Sequence, residues 1–171
     1  MKTLNKYISE WKINNQSMKN VDDDKRYFIY NHESGYIKIF DHDFAEIKNY
    51  EDKVYINGEQ ANIERGWTEA TYKKGTYNVY IKDLEKITNC KFMFWGCDEL
   101  EYVPKINNSK KIISTMGMFS KCKILKSVPL FKVTDENTLC DMFKGCDKLD
   151  KKTKQDWSEI YDFKSNYRKS V

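Results

Sequence analysis

Histidine, proline and glycine are scarce in this chain, and their scarcity excludes several classes of protein. Its 171 residues include only two His, two Pro and seven Gly. So few Pro and Gly argue against a disordered or linker-rich chain. Two His leave few candidates for a nucleophile activated by a histidine base. Glycine-rich phosphate loops, dinucleotide fingerprints, zinc-protease motifs and nucleophile elbows are all missing. We therefore predict no enzymatic activity, no catalytic residues and no cofactor.

Long apolar runs are missing as well. No stretch approaches the roughly 18 consecutive apolar residues of a membrane span. The N-terminus lacks the apolar core and the cleavage site of a signal peptide. Five Cys is an odd number, and an intracellular protein is expected to keep its thiols free. These features predict a cytoplasmic protein without membrane contact.

Candidate metal ligands are few and badly spaced. Structural zinc uses Cys pairs about two to four residues apart, whereas Cys90 and Cys97, like Cys140 and Cys146, are six or seven apart. The Asp41-His42-Asp43 segment is better explained as a loop between β segments than as a metal site. His32 falls in a predicted turn, where it would be solvated. The acidic run at residues 22–24 lacks the remaining positions of a calcium loop. We predict no metal site.

The chain does contain an internal repeat, which is its strongest sequence signal. The frame M-F-x-x-C-x-x-L-x-x-V-P begins at Met93, at Met118 after 25 residues and, without its last part, at Met142 after 24 more. Segments that cannot bury their apolar side alone stack their core positions on the next copy. We therefore expect three internal columns, formed by Phe94, Phe119 and Phe143, by Cys97, Cys122 and Cys146, and by Leu100, Leu125 and Leu149.

The repeated Met-Phe-x-x-Cys-x-x-Leu frame resembles the BspA-like leucine-rich repeats of bacterial surface antigens. The resemblance covers residues 77–150, with Tyr77 to Leu84, Ile87 and Cys90 as an opening half-turn. It implies a right-handed solenoid that binds other macromolecules without catalysis. We accordingly predict an α+β fold, consisting of a short leucine-rich-repeat solenoid with a small β-rich N-terminal cap and a C-terminal capping helix.

The flanking segments give the predicted caps their secondary structure. Apolar positions at i, i+3, i+4 and i+7 predict a helix over residues 3–17. Residues 27–30 and 36–40 flank a Gly-containing turn and predict a β-hairpin, and Asn57-Gly58 predicts a second one. Thr153 is the predicted cap of a helix with Trp157, Ile160 and Tyr161 on one face. The predicted units are an α+β cap over 1–76, the repeats over 77–150, and a capping helix and tail over 151–171.

Charge is uneven along the chain. Net charge is +4, yet residues 103–134 contain seven Lys and no acidic residue. Stacked turns would bring these lysines onto one face, which would attract phosphates or an acidic protein. A solvated surface explains them equally well. The predicted partner-binding residues are six lysines and two aromatics, namely Lys105, Lys110, Lys111, Lys121, Lys123, Lys126, Trp95 and Tyr102. Exposed members among Trp67, Trp95 and Tyr102 would be the anchors of a protein interface.

Three functions fit these features. The first is a non-enzymatic protein-binding module that acts on one macromolecular partner. The second is a stoichiometric inhibitor of a nucleic-acid-handling complex, such as a phage-type anti-defence or anti-CRISPR protein, with the Lys-rich face against nucleic acid or the groove that holds it. The third is a fragment of a surface adhesin. The partner would be a protein or a protein–nucleic-acid complex, and the sequence leaves its identity, direct nucleic-acid contact and the oligomeric state open.

Overall fold

A computed structural model describes residues 26–107, 112–131, 133 and 139–161. The predicted helix over residues 3–17 and the acidic run at 22–24 lie outside the described residues. So do two of the predicted partner-binding residues, Lys110 and Lys111, and the side chains of Ile160 and Tyr161.

An antiparallel sheet of five strands forms the centre of the described structure. In chain order its strands and those of a separate hairpin are β1 (Phe28–His32), β2 (Val54–Ile56), β3 (Glu59–Gln60), β4 (Ile63–Glu64), β5 (Trp67–Thr68), β6 (Gly75–Ile81) and β7 (Leu100–Tyr102). The sheet order is β3-β2-β6-β1-β7, and β4 pairs with β5. Strands from both sides of residue 76 therefore belong to one sheet.

The core lies along β1 and β6. Phe28 and Tyr30 are fully buried on β1, and Val79 of β6 pairs with Phe28 on one side and with Ile56 of β2 on the other. Alternating residues of a strand point to opposite faces, and every second side chain of β1 is accordingly buried. The hydroxyl of Tyr30 donates to the Ile39 carbonyl at 3.0 Å, so this phenol has a partner inside the core.

Two tight turns carry left-handed backbone at both central positions. Asn57 and Gly58 have φ of 51° and 89° and connect β2 to β3, which confirms the hairpin predicted there. Arg65 and Gly66 have the same φ values and connect β4 to β5. Left-handed φ at both positions gives the turn that matches the twist of paired strands. A Cβ at Gly66 would lie 2.2 Å from the Phe40 carbonyl oxygen, so only glycine fits.

The other predicted hairpin is wrong. β1 pairs with β6 and β7 rather than with residues 36–40. The segment after the turn instead bridges to later parts of the chain, with Gly35 opposite Tyr72 and Lys38 opposite Trp67. A pairing partner so distant in sequence leaves no local turn signal, and the Gly35 turn suggested the wrong one.

Three Met-Phe turns, at residues 93–97, 118–122 and 142–146, stack on one another. The Phe119 ring lies 5.6 Å from that of Phe94 and 5.8 Å from that of Phe143, and both pairs are within 5° of parallel. The Cys122 thiol donates to the Phe94 carbonyl at 3.0 Å, and that of Cys146 to the Phe119 carbonyl at 2.9 Å. The predicted column of Phe rings is therefore present, and each of these thiols forms a hydrogen bond with the preceding turn.

Backbone hydrogen bonds connect the same turns. Every second amide donates to the next turn, as Phe92 does to Met116, Phe94 to Met118 and Gly96 to Ser120. The second junction repeats this pattern from Gly117, Phe119 and Lys121. The turns are thus joined through their irregular Met-Phe segments.

The predicted fold class is wrong. A leucine-rich-repeat solenoid joins its turns through a parallel sheet, which would run along the L-x-x-V-P segments. In the described residues only isolated parallel bridges are present in place of that sheet, such as Tyr102 to Ser127 and Ile112 to Val133. The sheet that forms is antiparallel, and no solenoid appears in this part of the chain. The repeated Phe, Cys and Leu residues are buried, apart from the half-buried Phe143, but they pack against a mostly antiparallel β structure.

One α-helix, α1 (Lys151–Tyr161), covers the last Met-Phe turn. Its N-cap is Asp150, whose carboxylate accepts the Thr153 amide at 2.6 Å, so the predicted cap at Thr153 is wrong. Trp157 is fully buried 5.7 Å from Phe143, and its indole N–H donates to the Val128 carbonyl. Three 3₁₀ helices, Ile47–Asn49, Glu51–Lys53 and Leu84–Lys86, complete the described helices. None of these is long and apolar enough to cross a membrane.

Candidate functional site

Five residues from four parts of the chain lie one after another in space across one surface. We call them the Trp–Lys row. Glu64 pairs with Trp67 between β4 and β5, and Trp67 pairs with Lys38 by a β-bridge. The Lys38 ammonium then lies over the Trp95 ring, and the Lys121 ammonium lies over that ring as well. Paired residues on adjacent strands project from the same face. The row therefore runs Glu64, Trp67, Lys38, Trp95, Lys121.

Trp67 is the exposed aromatic of the row. Its side chain is 47% exposed, whereas Thr68, next along β5, is buried and accepts the Ile37 amide at 3.0 Å. The tight turn at Gly66 fixes the start of β5, because the Gly66 carbonyl accepts both the Ile39 and Phe40 amides. Tyr36, 55% exposed, lies two residues before Lys38 on the neighbouring segment. A rigid backbone thus presents a large apolar side chain to solvent.

Trp95 lies at the centre of the other half of the row. The Lys38 and Lys121 ammoniums lie 5.4 Å and 4.4 Å from its ring centroid, within the range of cation–π attraction. Lys38 is held in place by the Asp41 carboxylate at 2.7 Å and the Trp95 carbonyl at 2.8 Å. Its positive charge is therefore largely neutralised by a buried acid.

Lys121 differs from Lys38 because it has no acidic partner among the described residues. Its backbone is fixed, with φ at 62° and the amide donating to the Lys144 carbonyl at 2.7 Å. Its side chain is exposed, and the ammonium rests on the Trp95 ring. The row consequently ends in an oriented, unneutralised cation.

The predicted lysines do not form one acid-free face. Lys123 pairs with Asp98 at 2.8 Å, and Lys126 pairs with Glu101 and lies over the Tyr102 ring at 5.4 Å. Both acids precede residue 103 in the sequence. The fold therefore brings acidic side chains next to lysines of the acid-free stretch at 103–134. Lys105 is exposed and has no ion pair in the described residues. Of the predicted set, the structure brings Trp95 and Lys121 together in the row and places Tyr102 with Lys126.

The row also includes residues that the sequence reasoning missed or named only as anchors. Lys38 and Glu64 belong to it, and neither carries a sequence motif. The bridge from Lys38 to Trp67 and the packing of Lys121 on Trp95 join residues 29 and 26 positions apart. The sequence analysis also left unnamed the Arg65-Gly66 turn, which connects β4 to β5 and positions Trp67.

The Asp41-His42-Asp43 segment brings three potential ligand atoms within 4.8 Å of one another. Asp41, however, is buried, and both of its carboxylate oxygens already accept hydrogen bonds. One accepts the Asp43 amide at 3.0 Å and the other the Lys38 ammonium at 2.7 Å. His42 and Asp43 are exposed. This arrangement favours a structural role for Asp41 as the counterion of Lys38.

His32 is not in a solvated turn as predicted. It ends β1, opposite Gly75 of β6, and is 1% exposed. Its Nδ1 lies 2.7 Å from Glu99 Oε2, while its buried Nε2 has no hydrogen-bond partner among the residues that the structure describes. The prediction failed because strand β1 continues through His32 to pair with β6.

The repeat cysteines are buried free thiols, and Cys140 is a free thiol at the surface. Burial raises the pKa of the Cys146 thiol to about 11 and those of Cys90, Cys97 and Cys122 further still. A thiol that stays protonated is a poor nucleophile and a poor metal ligand. These four residues therefore serve packing rather than chemistry.

No protein-family model, curated protein or solved structure matches this chain. The likeness of its Met-Phe frame to BspA-like repeats stays a prediction.

Proposed function

We propose that this chain is a non-enzymatic protein-binding module that docks on one macromolecular partner through the Trp–Lys row. The observation that carries the proposal is the exposed Trp67, presented by a tight hairpin beside a second tryptophan flanked by two lysines. Tryptophan and tyrosine are enriched among the residues that dominate binding energy at protein interfaces. They lose little conformational entropy when the backbone beneath them is already rigid.

The pairing of the lysines favours this function over contact with nucleic acid. Lys123 and Lys126 are each neutralised by an acid, and Glu64 adds a carboxylate beside Trp67. Phosphate-binding surfaces depend on several unneutralised cations along one track. The unpaired, buried thiols support a reducing compartment, so we include the cytoplasm in the proposal.

Affinity capture with matched variants tests the proposal. Wild-type protein, Trp67→Ala and Ile113→Ala would be immobilised and exposed to a lysate of the source cells. Ile113 is 56% exposed and outside the row, so its variant removes similar apolar surface elsewhere. We expect a partner that wild type and Ile113→Ala retain and Trp67→Ala loses. Equal capture by all three would refute a role for the row.

A further inference from the structure

The Trp–Lys row has opposite charges at its two ends. Glu64 is exposed at one end and Lys121 at the other, and neither has an ion pair among the described residues. The middle lysine, Lys38, is neutralised by Asp41. Between the ends lie the indoles of Trp67 and Trp95. The row is therefore apolar in the centre, with a carboxylate at Glu64 and an ammonium at Lys121.

Both charged ends are held by their backbones. Glu64 pairs directly with Trp67 next to the Arg65-Gly66 turn. Arg65 occupies the left-handed first position of that turn, so it belongs to the tip of the hairpin and not to the paired row. Lys121 is fixed by the hydrogen bond that its backbone N–H donates to the Lys144 carbonyl and by the Trp95 ring. A partner would meet both charges at a set separation.

We propose that the partner of the row is a protein segment of matching polarity. Apolar side chains of that segment pack on Trp67, a lysine or arginine faces Glu64, and an aspartate or glutamate faces Lys121. Complementary charges select partners and fix their register, while the aromatic centre supplies most of the affinity. The inference rests on the proposed function, whose site it deepens.

Single-stranded nucleic acid fits the row less well. Bases stack on exposed aromatic rings, but every phosphate carries the same charge. A strand laid along the row would be attracted at Lys121 and repelled at Glu64. The Trp95 ring, which already lies under two ammoniums, offers less surface to a base. The charge pattern therefore favours a polypeptide.

A displayed library of random peptides, selected on the full chain, tests the inference. We expect selected peptides with apolar residues between a basic and an acidic position. Binding of a labelled selected peptide should fall about tenfold or more with Lys121→Glu. It should recover when the acidic position of the peptide is changed to lysine. Glu64→Lys should behave in the same way toward the basic position. Ile113→Ala is the control, and thermal unfolding checks that each variant folds.

The outcomes separate the inference from the proposed function. If peptide binding is lost with Trp67→Ala but is unchanged by both charge reversals, the inferred polarity of the partner is wrong. The proposed protein-binding function is then still supported. Peptides that bind independently of Trp67, or none at all, would overturn both. Binding of oligo(dT) that is lost with Trp67→Ala would also overturn both in favour of a nucleic-acid surface.

Discussion

The Nδ1 of His32 lies 2.7 Å from Oε2 of Glu99, and this contact ties the end of β1 to the residue before β7. The Asn31 amide reinforces it by donating to the Glu99 carbonyl at 2.8 Å. The imidazole is fully buried and the carboxylate 29% exposed. Removal of Glu99 therefore leaves a buried imidazole without its partner, whereas removal of His32 leaves a carboxylate that is partly exposed to solvent.

We predict that Glu99→Ala destabilises the fold more than His32→Phe does. Without Glu99 both imidazole nitrogens are buried and unpaired, which costs about 1–3 kcal/mol. Without His32 the carboxylate can still reach water, and the orphan Nε2 disappears. Urea unfolding of the two variants and the double variant measures this. The double variant should be more stable than Glu99→Ala, and a larger loss for His32→Phe would contradict the account.

Phe119 occupies the middle of the stacked column. Phe119→Ala should lower the free energy of unfolding by about 3–5 kcal/mol, because a buried ring is lost and a cavity remains between two neighbours. Tyr36→Ala, which removes an exposed ring, is the control and should change stability little. Denaturant titrations of both variants provide the measurement. A loss below about 1 kcal/mol for Phe119→Ala would contradict stacking as a source of stability.

The thiols should fall into two classes of reactivity. In the folded protein Cys140 should react quickly with iodoacetamide, since it is exposed, whereas Cys90, Cys97, Cys122 and Cys146 should react slowly. Intact-mass analysis over time counts the modified thiols, and peptide mapping assigns them. We expect one fast site and no native disulfide. Early modification of Cys122, or a disulfide among the repeat cysteines, would refute the buried column.

Stability should fall at alkaline pH. Burial raises the pKa of Cys146 from 9.0 to about 11, so between these values the folded chain holds a proton that the unfolded chain releases. The contribution is complete below the unfolded pKa and is lost as pH rises through the folded one, at up to about 1.4 kcal/mol per pH unit for one group. Urea midpoints under reducing conditions should therefore be flat up to about pH 8 and decline above about pH 9. Cys146→Ala should reduce the slope, and an unchanged midpoint up to about pH 10 would contradict the prediction.

Lys123 and Lys126 should contribute little to any binding of nucleic acid. If they contacted phosphates, replacing each by Gln would flatten the slope of log affinity against log salt by about one unit. Because both ammoniums are paired with acids, we expect the slope of the double variant to match that of wild type. Salt titrations with short RNA and DNA oligonucleotides make the comparison. A slope flatter by about two units would restore these lysines as a phosphate-binding face.

Two local patterns predicted local structure correctly, although the Gly35 turn and the Thr153 cap did not. Asn57-Gly58 specified its hairpin because both turn positions require left-handed backbone, which asparagine and glycine tolerate. The Met-Phe-x-x-Cys frame predicted buried positions, since a repeated apolar frame implies a repeated environment. The frame did not show why cysteine occupies this position. In the structure the cysteine S–H donates a hydrogen bond to a carbonyl of the preceding turn.

Long-range pairing was not predictable from these patterns. The central position of β6 between β1 and β2 depends on residues up to 51 positions apart, such as Phe28 and Val79. The same is true of the Trp–Lys row and of the acids that meet Lys123 and Lys126. A repeat frame also fixes which residues are inside without fixing how the turns are joined. That gap explains how correct burial led to a wrong fold class.

The burial of Trp157 against Phe143 has a consequence for self-association. In the described residues each earlier Met-Phe turn stacks its ring on that of the following turn, and Trp157 of α1 packs against the last ring. If α1 detached, the column would present a flat aromatic end to solvent, beside carbonyls such as that of Val128 that had lost their donor. Such an end fits surfaces that add head to tail, and contacts of that kind grow into fibres. Docking of α1 therefore covers the end of the column at which such contacts would form.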